Sequence, residues 1–281
     1  MIERRLPCVG RTGFHHLAYY EWEGPRGAPT VLCLHGLTRN GRDFDSLAEA
    51  LSSEFRVVAP DFPGRGKSDW LADKREYQPP NYVADIAALI ARLDVETVDI
   101  VGTSMGGIVG MLIAAQQNNP VRRLVINDVG PTIAKQGLRR IRKYVGRDPS
   151  FKDLAALEAA LRFVFAGFGA LSDATWRTMA EQSARTKPDG SIGFNYDPGI
   201  AAPFKRGWIV RDVSLWKFYD AIKCPVLVLR GADSDILRRT DAEAMTRRGP
   251  RAKVVEFADI GHAPSLTVPD QISCVREFLH G

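Results

Sequence analysis

Apolar residues along the chain fall into two alternating patterns. Short runs that are apolar at nearly every position, Thr30–Leu34, 55–59, 97–101, 124–126 and 226–229, read as strands buried on both faces. Longer stretches between them carry apolar residues every three or four positions. Phe44, Leu47, Ala48 and Leu51 predict a helix over 43–53, and Val83, Ile86, Ala87, Ile90 and Leu93 one over 81–94. Further helices are expected over 105–117, 240–247 and 270–279, with a last strand at Lys253–Phe257. Such strands, separated by helices, predict an α/β fold: a mostly parallel central sheet with helices on both faces. The stretch 16–23 predicts an antiparallel edge strand or hairpin. Between 131 and 221 the strand rhythm stops. Leu154, Leu157, Leu161, Val164 and Phe165 mark one helix there, Trp176, Met179 and Ala180 another, and no strand is expected. The pattern therefore divides the chain into a core, 1–130 with 222–281, and an inserted helical cap, 131–221.

Composition narrows the function classes. With 281 residues, 45% hydrophobic and 25% charged, the chain can bury a large core and is neither disordered nor fibrous. The net charge of +5 is mild, and its tightest cluster, Arg139, Arg140, Arg142 and Lys143, has the spacing of a solvated helix face. No nucleic-acid partner is expected. Cysteines 8, 33, 224 and 274 form no C-x-x-C pair and stand near no metal-spaced histidines, so no metal is expected. The first residues lack the apolar core of a secretory leader, and no apolar run reaches the ~18–20 residues of a membrane helix. A cytoplasmic protein without a membrane partner is the expectation; a homo-oligomer is compatible with it.

One segment carries chemistry at once. Gly102-Thr103-Ser104-Met105-Gly106 fits G-x-S-x-G, directly after a strand and opening a helix. In that context the motif is a nucleophile elbow: a sharp turn that lifts a serine above the sheet and needs small residues around it. A serine hydroxyl needs a base. Of the histidines at 15, 16, 35, 262 and 280, His262 follows the last strand, at the end of the sheet where open α/β folds place their sites. The base needs an acid to fix its tautomer. Asp233 and Asp235 follow the strand at 226–229, and Asp128 follows the one at 124–126. Asp235 is favoured, with Asp128 an alternative position. Gly36 ends the first buried strand and allows a tight turn, so the N–H groups of Leu37 and Met105 are the candidate oxyanion hole. His35 reads as a structural residue of that loop.

His35-Gly36, the run from Asp61 to Ser68, Gly102–Gly107, Gly231–Asp235 and Gly261-His262-Ala263-Pro264 together make the chain resemble the α/β-hydrolase fold superfamily over nearly its whole length. The resemblance implies a Ser104–Asp235–His262 triad, a cap after the strand that follows the nucleophile helix, and Asp61 and Arg65 bracing the site. Relatives often place the acid three residues after the glycine; here that residue is Ser234, and a related subgroup with a Ser-Asp pair uses the offset of Asp235. Serine at the elbow argues against the dehalogenase and epoxide hydrolase branches. Carboxylic esters of small to medium size are the expected substrates, cleaved through an acyl-enzyme without a cofactor. Carbon–carbon bond hydrolysis of ring-cleavage products, lactone hydrolysis, perhydrolysis and a non-enzymatic ligand receptor are the alternatives. Arg39, Asn40, Tyr196 and Trp208 are the candidate substrate contacts. The Gly-Lys-Ser at 66–68 lacks the first glycine and the strand–helix setting of a phosphate loop.

Overall fold

The computed structural model describes residues 1–205 and 212–281, the side chain of Lys205 excepted. Its centre is an eight-stranded sheet. Six strands are parallel: β3 (Thr30–Leu34), β4 (Arg56–Pro60), β5 (Val98–Thr103), β6 (Val121–Asn127), β11 (Val226–Gly231) and β12 (Lys253–Phe257). An antiparallel hairpin, β1 (Ile2–Gly10) and β2 (Gly13–Trp22), joins at β4, giving the order β1-β2-β4-β3-β5-β6-β11-β12. The expected α/β class is the one observed.

The period of two along each strand divides the core. Leu32, Leu34, Ile100 and Ile126 face one side, where α2 (Pro79–Arg92) and α3 (Met105–Ala114) bring Ile86, Leu89, Val109 and Met111. Val31, Cys33, Val101 and Val125 face the other, against Leu47 and Leu51 of α1 (Asp45–Leu51) and Val275 and Leu279 of α10 (Pro269–His280). The helix α9 (Arg239–Met245) adds Ala242 and Met245 to the first side. Strands buried on both faces cannot alternate polar with apolar, which is why they read as unbroken apolar runs.

Two expectations are corrected. The chain opens with a full strand, β1, that the pattern did not reveal. Only Leu6 and Cys8 of its residues are buried, because an edge strand has one wet face and one open side. The stretch between β6 and β11 is not free of strands. β7 (Thr132–Ile133) pairs with β10 (Val213–Ser214), and β8 (Ala184–Thr186) with β9 (Ile192–Phe194). Pairs of two or three residues are too short to show a period. The same stretch holds α4 (Lys135–Arg142), α5 (Leu154–Val164), α6 (Asp173–Ser183), α7 (Ala202–Lys205) and α8 (Trp216–Tyr219). Leu157 and Leu161 of α5 pack with Trp176, Met179 and Ala180 of α6 into a small core of their own. Among the described residues no helix is long and apolar enough to cross a membrane.

Candidate active site

Ser104 stands between β5 and α3 at φ 53° and ψ −113°, a conformation that non-glycine residues rarely hold. Two glycines make the turn sterically feasible. A Cβ on Gly106 would lie 1.9 Å from the Leu34 carbonyl oxygen, and one on Gly102 would lie 2.4 Å from that of Gly106. The helix start is thereby pressed onto the neighbouring strand ends, and the serine N–H donates to the Asn127 carbonyl at 2.9 Å.

His262 reaches the serine from the loop after β12. Its Nε2 lies 2.9 Å from Ser104 Oγ, and its Nδ1 lies 2.7 Å from Oδ2 of Asp128. Asp128 is fully buried, at the carboxyl end of β6, with φ 55°. Its other oxygen accepts the Gly231 N–H at 3.0 Å, and Oδ2 also accepts the Ser234 hydroxyl at 2.5 Å. Asn127 ties the assembly together, donating to Thr103 Oγ1 at 3.0 Å and to the Pro264 carbonyl at 2.8 Å.

The structure thus corrects the acid. Asp235 does not meet His262; it lies half exposed and pairs with Arg140 at 2.6 Å. The physical reason lies in its neighbour. Ser234 turns inward onto Asp128 and accepts the Ile236 and Leu237 N–H groups at 3.2 and 3.1 Å, which leaves residue 235 facing outward. The order serine, acid, histidine holds for Asp128 as well as for Asp235, so chain order could not choose between them. The usable signal was the pairing of a serine at the usual acid offset with an aspartate ending the preceding strand.

The loop after β3 supplies the other side. His35 is completely buried: its Nδ1 donates to the Gly36 carbonyl at 2.7 Å and its Nε2 accepts the Phe62 N–H at 2.9 Å. Burial lowers its pKa to about 3, which keeps the ring neutral and able to accept that bond. Arg65, also fully buried, donates to the Leu37 carbonyl at 2.8 Å, to the Pro63 carbonyl at 2.7 Å and to the Tyr82 hydroxyl at 2.8 Å. Asp61 accepts the Gly41 and Lys67 N–H groups at 2.7 and 2.8 Å, and burial raises its pKa to about 6. The N–H groups of Leu37 and Met105 donate to no protein acceptor among the described residues, and Ser104 Cβ lies 3.9 Å from where a Gly36 Cβ would sit.

A cleft of about 270 Å³ opens beside this loop, between Thr38, Arg39 and Asn40 on one side and Leu161, Phe165 and Tyr196 on the other. Ser104 and His262 are not among its lining residues. Arg39 and Asn40 line it but are engaged elsewhere. Arg39 forms a bidentate pair with Asp43, bonds Ser183 Oγ at 2.9 Å and lies over the Phe165 ring. Asn40 caps a short 3₁₀ turn and donates to the Gln182 carbonyl at 2.9 Å. Tyr196 is stacked on Phe194. Trp208 lies outside the described residues. Arg147, which the sequence did not single out, also lines the cleft, and no carboxylate partner faces it among the described residues.

Ser104, His262 and Asp128 thus form one hydrogen-bonded chain at the carboxyl end of the parallel strands. The chain belongs to the α/β-hydrolase fold family, whose model matches residues 29–269. It is 44% identical over 285 residues to a 3-hydroxybutyrate-oligomer hydrolase of Cupriavidus necator, covering 98% of this chain and 97% of that protein. It is 30% identical to a 2-(acetamidomethylene)succinate hydrolase of Mesorhizobium japonicum, over 89% of this chain and 88% of the relative. The crystal structure of an α/β hydrolase from Novosphingobium aromaticivorans superposes with a TM-score of 0.87 at 37% identity, covering 99% and 98% of the two chains.

Proposed function

We propose that this protein is a serine hydrolase of carboxylic esters, acting on short hydroxyacyl oligoesters such as oligomers of 3-hydroxybutyrate. The observation that carries the reading is the chain Ser104–His262–Asp128, with contacts of 2.9 and 2.7 Å. His262 takes the Ser104 proton as the oxygen attacks the ester carbonyl, and Asp128 stabilises the imidazolium. The N–H groups of Leu37 and Met105 receive the charge on the tetrahedral oxygen. His262 then protonates the leaving alcohol, and water releases the acid by the same route. No cofactor enters these steps.

The substrate class rests on the similarity to the Cupriavidus enzyme and on the cleft. Its walls are largely apolar, and Arg147, which pairs with no carboxylate among the described residues, is the cation that would meet the terminal carboxylate of an oligoester. In this reading 131–221 acts as the cap over that cleft. Four free cysteines agree with a cytoplasmic setting.

Wild type and Ser104→Ala are assayed on p-nitrophenyl butyrate and on the 3-hydroxybutyrate dimer and trimer. Turnover of all three by the wild type, lost by several orders of magnitude in Ser104→Ala, is the expected result. A folded wild type inert on every ester but active on a vinylogous diketone would establish carbon–carbon hydrolysis instead. Equal activity of both proteins would remove Ser104 as nucleophile.

A further inference from the structure

Cys8, His15 and Asp85 form a second cluster with chemistry of its own, with Cys8 four strands and His15 three strands across the sheet from β5 and the elbow. Cys8 on β1 and His15 on β2 are direct cross-strand partners. Asp85 comes from α2, which packs over that edge of the sheet. All three are buried, and one ligand atom from each lies within 4.8 Å of the other two. Imidazole Nε2 and carboxylate Oδ2 are 3.1 Å apart.

We propose that Cys8, His15 and Asp85 bind one zinc-class divalent cation, which clamps the edge hairpin to α2. Bonds of ~2.0–2.3 Å to sulfur, nitrogen and oxygen in a tetrahedron place ligand atoms roughly 3.3–3.7 Å apart, so the cluster closes on a cation by side-chain rotation alone. Thiolate and carboxylate carry two negative charges, and with a neutral imidazole they balance a divalent ion in a buried place. The thiol proton leaves to solvent as the metal–sulfur bond forms. A thiolate, an imidazole and one carboxylate suit zinc or cobalt better than magnesium or calcium.

The surroundings supply two further parts. Glu76 Oε2 and His15 Nδ1 lie 2.7 and 3.6 Å from the point a Gly10 Cβ would occupy. The buried Glu76 carboxylate thus lies near the ring nitrogen that faces away from Asp85, and its oxygens accept the Arg11 N–H at 2.8 Å and the Thr12 hydroxyl at 3.0 Å. A cavity of about 350 Å³ reaches His15 from outside, lined also by Gly10 and Glu76, while Cys8 and Asp85 lie behind it. Local sequence spacing does not reveal the set, because the hairpin and a distant helix assemble it.

Chelator-treated wild type and Cys8→Ala are titrated with Co²⁺ and then with Zn²⁺, followed by absorbance and by thermal melting. One equivalent of Co²⁺ is expected to give a thiolate-to-cobalt charge-transfer band in the near ultraviolet. One equivalent of Zn²⁺ should abolish the band and raise Tm by several degrees. Cys8→Ala, a small-for-small buried exchange, should show neither effect while hydrolysing p-nitrophenyl butyrate at the wild-type rate. Asp85→Asn should weaken Co²⁺ binding at least tenfold, which keeps the test decisive if Cys8→Ala does not fold. Folded wild type without the band, or a band that survives in Cys8→Ala, overturns the site. Ester turnover is read separately, so failure of the metal site leaves the proposed hydrolysis untouched.

Discussion

Asp128 and Asp235 are the same residue type, both fall between Ser104 and His262 in chain order, and they are physically opposite. Asp128 is sealed from water and shares its two oxygens among an imidazole, a hydroxyl and a backbone N–H. Asp235 sits in solvent beside Arg140, where an ion pair contributes little. Asp128→Asn should therefore lower kcat on p-nitrophenyl butyrate by ~10³–10⁴, the loss expected when a base is held in the wrong tautomer. Asp235→Asn should leave kcat within about twofold, as surface changes usually do. The reverse ranking would restore Asp235 as the acid. Arg147 allows a second test at this scale. Arg147→Gln should raise KM for the 3-hydroxybutyrate trimer about tenfold and leave KM for its methyl ester unchanged, since a charge-assisted bond contributes ~1.5–3 kcal/mol. An equal change for both substrates would place the arginine outside the carboxylate's reach. Ser104 and His262 were legible because a motif and a loop position each named one residue. The acid was not, because three aspartates satisfied every one-dimensional rule and only the inward turn of Ser234 separates them in space.

Elements bring these groups together by close contact rather than by long side chains. α3 begins where Gly106 touches the Leu34 backbone, so the elbow and the loop after β3 share one packing contact. Gly106→Ala puts a methyl group 1.9 Å from a carbonyl oxygen, and backbone cannot retreat as a flexible side chain does. Overpacking of this kind costs ~1–3 kcal/mol or more. A Tm lowered by several degrees, with activity lost well below that temperature, is expected from calorimetry and initial rates. A variant with wild-type melting and kcat would show that the turn tolerates a side chain. At this scale the parallel core was fully legible, because strands buried on both sides leave unbroken apolar runs. β1 escaped notice because an edge strand carrying Glu3, Arg4 and Arg5 has the composition of a loop. Such charges also discourage pairing of one sheet edge with another. The strand pairs β7–β10 and β8–β9 escaped because their partners lie far apart or span only three residues.

For the whole molecule, two buried titratable groups near the carboxyl end of the sheet give stability a definite pH dependence. His35 has a folded pKa of about 3, below that of an exposed histidine. Between those values the unfolded chain binds the extra proton, so this contribution is intact above ~6.5 and is lost as pH falls. Asp61 is raised to about 6, so the folded chain binds the extra proton, and its contribution weakens as pH rises from ~4 to ~6. The two slopes oppose each other in that window. His35→Gln removes only the first. The stability gap between wild type and His35→Gln, from urea unfolding at pH 4.5, 5.5 and 6.5, should narrow towards low pH by up to ~1.4 kcal/mol per unit. A gap that stays constant would show that the buried ring is not held neutral.

The position of the acid has a consequence in time. Ser104 and Asp128, the proposed nucleophile and acid, belong to a single β5–α3–β6 unit, while His262, the proposed base, arrives only after 131–221 and two further strands. A chain emerging from the ribosome, whose parts fold largely in order of synthesis, can shape its elbow and seat its carboxylate early. It still has nothing to draw the proton from the serine. On the proposed mechanism the half-made chain would be chemically silent, its serine armed only once the loop after the last strand docks.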